Sequence, residues 1–270
     1  MKVDSGGVAL DVEVHGEGKP VVLIHGFPDT KRLWSKQVPA LVDAGFQVIT
    51  PDGRGYGASD KPADVGAYAI PFLAIDVTAI LDALSIERAH VVGHDWGAAV
   101  AWATAAFAPE RVDHLVALSV GHPTSFGDMS LAQREKSWYM LLFQFHPAAE
   151  QWLTADDGAN FREWSQHPDF DAVYADLKRD GSLTPGLNYY RATVTPEALV
   201  GPPLELPPVQ APAMGVWSTG DMALLDGQMQ GSAKYCANGF RYERLDGVGH
   251  WMQWEAPEQV NRLLLDFLPR

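Results

Sequence analysis

The chain has almost no cysteine and no long apolar run. Cys236 is the only cysteine among 270 residues, so no disulfide can form within one chain, and we expect a reducing compartment. No uninterrupted apolar stretch reaches the length of a membrane-spanning helix, and the N-terminal residues lack the apolar core of a signal peptide. We therefore predict a soluble, cytoplasmic protein. The residues around Cys236 do not suggest a nucleophile, and we interpret it as an unreactive thiol.

Basic residues and metal-ligand spacings are also scarce. The chain has 20 Lys and Arg against 34 Asp and Glu, a net charge of −14, which disfavours binding to nucleic acid or to an anionic membrane. No His-Glu-x-x-His or comparable spacing occurs, so we predict neither a metal nor a cofactor. The stretch GRGYGA at 53–58 matches a loose dinucleotide pattern, but the next helical pattern begins only near Ala69. We therefore do not interpret it as a nucleotide site.

The first 120 residues alternate between strand-like and helical patterns. Apolar residues make up 47% and charged residues 20% of the chain, as in an ordinary globular protein. Helical patterns at 33–43, 69–85 and 98–108 separate the later strand-like runs, which predicts a mostly parallel sheet of βαβ units. We expect the first two runs to form a hairpin. The runs are VALDVEV, PVVLIHG, GFQVITPDG, AHVVGHD and VDHLVALSVG.

A different pattern occupies residues 125–208, called the cap segment below. This segment is rich in aromatic residues, has no strand-like run and ends in the proline-rich stretch VGPPLELPPVQAP. After it the alternation resumes and ends in an amphipathic helix at 257–268. We therefore predict an α/β core formed by residues 1–124 and 209–270, with a mostly parallel central sheet flanked by helices. The cap segment is predicted to be an inserted helical lid over this core.

The stretch VVGHDWGAAVAWA, at 91–103, changes from strand-like to helical character at Asp95. Glycines on both sides of Asp95 are typical of a nucleophile elbow, whose tight turn leaves no room for side chains. The N-terminus of the following helix favours an anion, so we expect Asp95 to stay ionised there. The alternative is that Asp95 only caps the helix.

Two further loops carry candidate catalytic groups. In LIHGFPD the Phe27 N–H can face the elbow and form an anion hole with the Trp96 N–H, although an ordinary Pro-Asp turn is the alternative. Asp221 follows a later strand, and His250 lies in a glycine-flanked loop before the last helix. We prefer Asp221 to Asp226 as the acid. The order Asp95, Asp221, His250 is that of an α/β-hydrolase triad.

These residues together resemble the α/β-hydrolase fold, and within it the epoxide hydrolases related to the soluble mammalian and plant enzymes. The resemblance covers nearly the whole chain. HGFPD, DGRGYGASD, GHDWGA and GHWMQWEAPE are shared with haloalkane dehalogenases, while WYMLLFQF and LNYYR in the cap segment resemble epoxide hydrolases. The resemblance implies that Tyr139 and Tyr190 are lid tyrosines that grip the epoxide oxygen, with packing as the alternative. Tyr189 stands where many relatives have tryptophan. His25 and His94, beside the two turns, are expected to bond the backbone.

A carboxylate at the elbow points to chemistry at saturated carbon. Aspartate attack on an ester would give a reactive anhydride, whereas displacement at an sp³ carbon gives an alkyl ester that water can hydrolyse. His250, oriented by Asp221, is the expected base for that water, and the Phe27 and Trp96 N–H groups would stabilise the oxyanion.

The leaving group separates the candidate activities. An opening epoxide leaves a basic alkoxide that needs a proton, which a phenol can donate, whereas a halide needs none. Phe27 also stands where many dehalogenases have asparagine. We therefore predict an epoxide hydrolase that adds water to a small, apolar epoxide without a cofactor. A haloalkane dehalogenase is the alternative, and a non-catalytic ligand-binding protein is a more distant one. Monomer and homodimer remain open.

Overall fold

Eight strands form one sheet in the computed structural model, which describes residues 1–128, 130–201 and 204–270. Their order across the sheet is β1-β2-β4-β3-β5-β6-β7-β8. The β1–β2 and β2–β4 pairs are antiparallel and all other pairs are parallel, which confirms the predicted α/β class. The strands are β1 (Lys2–Ser5), β2 (Val8–His15), β3 (Lys19–Ile24), β4 (Phe46–Pro51), β5 (Ala89–His94), β6 (Val112–Leu118), β7 (Ala213–Gly220) and β8 (Phe240–Gly249).

The predicted hairpin between the first two strand-like runs is wrong. β2 pairs with β1 and β4, while β3 lies between β4 and β5. The hairpin turn is instead Gly6-Gly7, whose φ angles of +62° and +90° suit a tight turn between antiparallel strands. β3 takes a central place because Val21–Ile24 is buried on both faces, which an edge hairpin could not provide.

Helices cover both faces of the sheet. α3 (Trp96–Phe107) begins directly after Asp95, and the helical pattern predicted at 33–43 is divided between a short 3₁₀ turn and α1 (Gln37–Asp43). None of the helices in the described ranges is long and apolar enough to cross a membrane. The helices of the core are α1 (Gln37–Asp43), α2 (Ile70–Ala83), α3 (Trp96–Phe107), α11 (Asp226–Gly231), α12 (Met252–Glu255) and α13 (Pro257–Phe267). Short 3₁₀ turns span Lys31–Trp34, Val65–Tyr68, Pro109–Arg111, Pro123–Asp128, Ala155–Gly158 and Ser232–Tyr235.

Alternate residues of the central strands belong to two separate apolar clusters. Val22 and Ile24 of β3 pack on the side that also holds α2 and α3, while Val21 and Leu23 pack on the side of α1 and α13. Successive strand residues point to opposite faces, so both faces of the sheet are buried. This burial holds the carboxyl ends of the strands, where the predicted catalytic residues lie, in a fixed frame.

The cap segment is helical in its described residues and lies between β6 and β7. Its aromatic residues contact the core at Phe27, whose ring centroid is 5.7 Å from that of Phe161 and 5.9 Å from that of Phe143. The segment therefore packs on the loop that follows β3. The domain boundaries themselves stay a prediction. The helices are α4 (Leu131–Lys136), α5 (Trp138–Leu142), α6 (Ala148–Thr154), α7 (Ala159–Ser165), α8 (Phe170–Asp180), α9 (Leu183–Thr193) and α10 (Pro196–Val200).

Candidate active site

Asp95 lies in a strained turn between β5 and α3. Its φ of +53° and ψ of −123° are rare for a residue with a side chain. The flanking glycines make the turn possible, because a Cβ on Gly93 would lie 2.0 Å from Gly97 O and one on Gly97 would lie 2.0 Å from Ile24 O. The turn therefore presents the carboxylate at the carboxyl end of the sheet, as the elbow motif predicts.

The Asp95 carboxylate contacts the backbone of two loops. Phe27 N–H donates to Asp95 Oδ1 at 2.8 Å, and the backbone N–H of Trp96 also favours the charged form of this carboxylate by lowering its pKa. Gly26 allows the approach, because a Cβ there would lie 2.3 Å from Asp95 Oδ1. The side chain makes no helix-capping hydrogen bond, so the capping alternative is not supported. Both N–H groups are thus in place to serve the predicted anion hole.

The ionisation of Asp95 differs from the expectation based on the helix N-terminus alone. Burial raises the pKa of Asp95 to about 6, although His250 and the Trp96 and Phe27 N–H groups oppose this rise. The loss of solvation outweighs the favourable dipoles and charge. The pKa still lies below neutral, so the carboxylate remains mostly ionised at pH 7.

His250 lies between two carboxylates. Its Nδ1 is 3.0 Å from Asp221 Oδ2 and its Nε2 is 3.8 Å from Asp95 Oδ2. Burial lowers the pKa of His250, but Asp221 and then Asp95 raise it more, to about 9. Asp221 also accepts the N–H groups of Ala223 at 2.8 Å and Leu224 at 3.0 Å. Although burial works against it, His250 and the hydrogen bonds from Ser119 and the Ala223 N–H hold the pKa of Asp221 below its usual value.

The competing acid lies elsewhere. Asp226 starts α11, where Tyr242 Oη donates to its Oδ1 at 2.6 Å and Gln230 Nε2 donates to its Oδ2 at 2.6 Å. These contacts occupy its carboxylate away from His250. The geometry therefore favours Asp221, as the sequence predicts.

Ser119 belongs to the same network and was missed by sequence reasoning. Ser119 Oγ donates to Asp221 Oδ2 at 2.7 Å and lies 3.1 Å from His250 Nδ1. It directly follows β6 and has a φ of +72°, so its backbone is as unusual as that of Asp95. Its position at the end of a predicted parallel strand was the one available signal. The hydroxyl restrains the carboxylate that orients His250.

His25 bonds the backbone of its own turn, as expected, whereas His94 bonds the backbone of the loop that carries His250. His25 accepts the Gly53 N–H at Nε2 with a distance of 2.9 Å, and its Nδ1 lies 2.9 Å from Gly26 O. His94 Nε2 lies 3.0 Å from His250 O. His94 therefore supports the loop that carries His250 rather than entering the cavity.

Tyr139 of α5 and Tyr190 of α9 face Asp95 from the cap segment. Each is 3% exposed, their ring centroids are 6.0 Å apart, and the Tyr190 ring lies 5.0 Å from that of Trp96. Burial first, and the Asp95 charge second, raise the pKa of both phenols well above its usual value. Both hydroxyls thus stay protonated at neutral pH. Tyr189 points elsewhere, since its hydroxyl donates to Arg54 O at 2.8 Å.

A cavity of about 160 Å³ joins Asp95 to the two phenols. Apart from these residues its wall is mainly apolar, so it suits a small hydrophobic molecule with one reactive polar group. The other residues of the wall are Ile70, Trp96, Ala99, Val120, Pro123, Phe126, Arg134, Met140, Thr193, Val194, Ala198, Leu199, Gly201, Leu204 and Leu224.

Other sequence features have structural explanations. The 53–58 loop contains Arg54, which forms a buried ion pair with Asp76 through donors at 2.7 Å and 2.5 Å. Burial raises the pKa of Cys236 to about 12, which agrees with an unreactive thiol. Within residues 1–128, 130–201 and 204–270, no three His, Cys, Asp or Glu side chains form a cluster suited to a metal ion.

The fold and the elbow identify the class of the protein. Residues 19–257 match the family described as the alpha/beta hydrolase fold, so the chain belongs to this family and is a hydrolase. Its strand order, its turn at Asp95 and its placement of His250 and Asp221 agree with that class.

Its relatives include several epoxide hydrolases. The chain is 32% identical to Epoxide hydrolase A of Mycobacterium tuberculosis, over 98% of this chain and 96% of that protein. It is 33% identical to the AB hydrolase superfamily protein YfhM of Bacillus subtilis, over 98% and 96% of the two chains. Among solved structures, an inhibitor complex of the Bacillus megaterium epoxide hydrolase matches with a TM-score of 0.90 and 27% identity over 100% of both chains. Epoxide Hydrolase A from Mycobacterium thermoresistibile matches with a TM-score of 0.83 and 31% identity over 99% and 97%.

Proposed function

We propose that this hydrolase converts a small, apolar epoxide and water into a vicinal diol through an ester on Asp95. The observation that carries the proposal is the placement of an ionised carboxylate and two protonated phenols on one apolar cavity. The carboxylate suits attack at saturated carbon, and the phenols suit the basic oxygen that this attack releases. The epoxide hydrolases among its relatives support the same activity.

The first step forms the ester. Asp95 Oδ1 is held by the Phe27 N–H, which leaves Oδ2 to attack a carbon of the epoxide ring. The new bond joins Oδ2 to that carbon, and the electrons of the broken C–O bond move to the epoxide oxygen. Tyr139 or Tyr190 donates its proton to this oxygen while the other phenol hydrogen-bonds it. The product of the step is a hydroxyalkyl ester and one phenolate.

The second step hydrolyses the ester at its own carbonyl. Esterification removes the Asp95 charge, which is one cause of the raised pKa of His250, so the pKa of the imidazole falls. The imidazolium returns its proton to the phenolate, and the neutral imidazole then removes a proton from water. Hydroxide adds to the ester carbon, and the Phe27 and Trp96 N–H groups stabilise the oxyanion. The oxyanion then collapses and breaks the bond to the alkoxy oxygen. The departing alkoxide takes the proton of the new carboxyl group and leaves as the diol, so that Asp95 is again a carboxylate and His250 is again an imidazolium.

A haloalkane dehalogenase is the second candidate, because the same carboxylate could displace a halide. The Trp96 side chain lines the cavity and could hold the leaving ion through its indole N–H. Phe27, however, offers only an apolar ring, stacked on Phe161 at 5.7 Å between centroids. Release of a halide ion does not need a proton from either buried phenol. A ligand-binding protein without turnover is the third candidate and has no use for the strained elbow.

A substrate panel separates these candidates. The purified protein is incubated with styrene-type, terminal aliphatic and internal epoxides, and with 1-haloalkanes of matched chain length. We expect diol from one or more epoxides and little or no halide release. Halide release without any diol would favour the dehalogenase, and stoichiometric binding without turnover would favour the ligand-binding protein.

A further inference from the structure

A buried histidine of the cap segment contacts the loop that follows β3. His167 lies between α7 and α8, and its Nε2 is 3.2 Å from Asp29 Oδ2. The two side chains are 0% and 4% exposed, so the pair is enclosed where the cap segment meets the core. Neither residue lines the cavity, and the reaction described above gives neither of them a task.

The hydrogen bonds of His167 define its protonation pattern. The Asp169 N–H donates to His167 Nδ1 at 3.0 Å, so Nδ1 is an acceptor and carries no hydrogen. The hydrogen is therefore on Nε2, which donates to Asp29 Oδ2. The imidazole is thus a directional hydrogen-bonded link between the cap segment and Asp29.

Trp251 extends this contact to the catalytic histidine. Its ring centroid lies 4.3 Å from that of His167 and 4.7 Å from that of His250, with the latter ring nearly perpendicular at 88°. Trp251 Nε1 donates to Ser165 O of the cap segment at 2.9 Å. The indole, which directly follows His250 in sequence, is therefore held from the cap segment on two sides.

Asp29 extends the contact to the anion hole. The Asp29 N–H donates to Gly26 O at 3.0 Å, which closes the turn that contains Phe27. Phe27 N–H is the donor to Asp95 Oδ1. The side chain and the backbone of Asp29 therefore join this turn to His167.

We propose that His167 is a positioning residue for hydrolysis of the ester. It holds the anion-hole turn in place through Asp29, and it holds His250 in place through Trp251. This inference rests on the proposed function, because it needs the two half-reactions to be separable. The Phe27 N–H and His250 both act on the ester carbonyl and its water. The first half-reaction also uses the Phe27 N–H, which holds Asp95 Oδ1, but it needs neither His250 nor water, so misplacement of His250 affects only the second half-reaction.

If His167 only docks the cap segment on the core, its replacement should change the two half-reactions in a different way. Loss of docking would disturb the tyrosines as well, because they lie on helices of the same segment. It would then slow both half-reactions and lower the thermal stability. Loss of positioning slows hydrolysis more than alkylation, and this split is the readout.

The test uses single-turnover kinetics on the whole protein with an epoxide that the wild type opens. Intact mass at quenched times gives the rate constants for ester formation and ester hydrolysis in His167→Leu, His167→Gln and His146→Leu. His146 is the matched control, because it is another histidine of the cap segment but its side chain is 63% exposed and pairs with Glu150. His167→Gln can still offer an N–H donor to Asp29.

We expect His167→Leu to slow hydrolysis by about 10- to 100-fold, the scale of a small misplacement of reacting groups, so that ester accumulates. Ester formation should change by less than about threefold, His167→Gln should recover part of the loss, and His146→Leu should match the wild type. Equal losses in both half-reactions, or no loss in either, would overturn the proposal.

Additional variants and the wild-type activity make each outcome interpretable. If His167→Leu does not fold, His167→Gln and Trp251→Phe carry the test, since the latter keeps an aromatic ring next to His250 in the chain and removes the hydrogen bond to Ser165 O. Failure of the wild type to open any epoxide refutes the proposed function, and the positioning role with it. A wild type that opens epoxides beside variants without a split refutes the positioning role alone.

Discussion

The core and the cap segment hold their candidate catalytic groups by different means. The core fixes Asp95 by backbone contact, since side chains on Gly93 or Gly97 would lie 2.0 Å from neighbouring carbonyl oxygens. The cap segment holds Tyr139 and Tyr190 by aromatic packing, with ring centroids 4.7 to 6.0 Å from their neighbours. Packing of this kind tolerates conservative exchange, whereas the backbone contacts of the elbow do not.

This difference suggests a division of labour. In the proposed mechanism the core groups form and hydrolyse an alkyl ester whatever the leaving group was, because that chemistry involves the carboxylate, water, His250 and the two backbone N–H groups. The cap groups decide which leaving group can be accommodated, because they supply the proton. Changes in the core should therefore abolish turnover of every substrate, and changes in the cap segment should discriminate between substrates.

Replacement of the nucleophile should have the largest effect. Asp95→Ala removes the atom that forms the ester, and we expect turnover of every epoxide and haloalkane to fall by at least about 10⁴-fold. The fold should remain, because the residue supports little packing. Product analysis with circular dichroism as a control checks this. Diol formation above background by the folded variant would mean that the nucleophile lies elsewhere.

Removal of the phenol hydroxyls should distinguish the role of the cap segment from that of the core. Tyr139→Phe and Tyr190→Phe should each slow ester formation by about 10- to 10³-fold, the range for a general acid. The double variant should open no detectable epoxide, because the alkoxide is then left without a donor in a dry cavity. It should stay folded, and any haloalkane turnover should survive. Near wild-type epoxide opening by the double variant would reduce both tyrosines to packing residues.

The pH dependence should differ between the half-reactions. Ester formation needs ionised Asp95, whose pKa is about 6, so its rate should fall tenfold per pH unit below that value. No basic decline is expected below pH 10, since both phenols have raised pKa values. Hydrolysis needs neutral His250 and should rise with pH up to the pKa that His250 has in the ester. Rapid-quench measurement of both rate constants at a series of pH values checks this. The same pH profile for ester formation and ester hydrolysis would argue against separate roles for Asp95 and His250.

The buried charge of Asp95 should have a smaller, measurable effect on stability. Its pKa is 3.8 unfolded and about 6 folded, so the folded state binds the proton more tightly. The resulting penalty is absent below pH 3.8, grows between pH 3.8 and 6, and is complete above 6. Asp95→Asn should therefore stabilise the protein at pH 7 by about 1–3 kcal/mol. Thermal melting should show this gain at pH 7 and lose it near pH 4, whereas a gain independent of pH would assign it to something other than the charge.

The sequence was sufficient to predict the site residues whose placement depends on nearby residues or on the order of the strands. The elbow at Asp95 could be predicted because its glycines are within two residues of it, and the backbone clash they avoid is a local property. Asp221 and His250 follow from the order of strands and loops. Ser119 was missed because a serine after a strand is common, and its contact with Asp221 spans 102 residues.

The remaining features could not be predicted because they depend on contacts between residues that are far apart in the chain. The hairpin prediction failed because strand neighbours in the sheet are not neighbours in the chain, as β3 between β4 and β5 illustrates. Tyr139 and Tyr190 came from the resemblance alone, since helical aromatics look the same whether they pack or donate. The contact between His167 and Asp29 spans 138 residues, and no pattern in either segment indicates it.

The covalent ester on Asp95 is the central claim, and His250→Gln tests it most directly. Ester formation needs no base, so the variant should still be alkylated, while hydrolysis stops for lack of one. After incubation with an epoxide that the wild type opens, the peptide that contains Asp95 should gain the mass of one substrate molecule. The intact protein should carry one such adduct, and Asp95→Ala should carry none. Absence of the adduct from the His250→Gln protein, or its presence on another residue, would contradict the account.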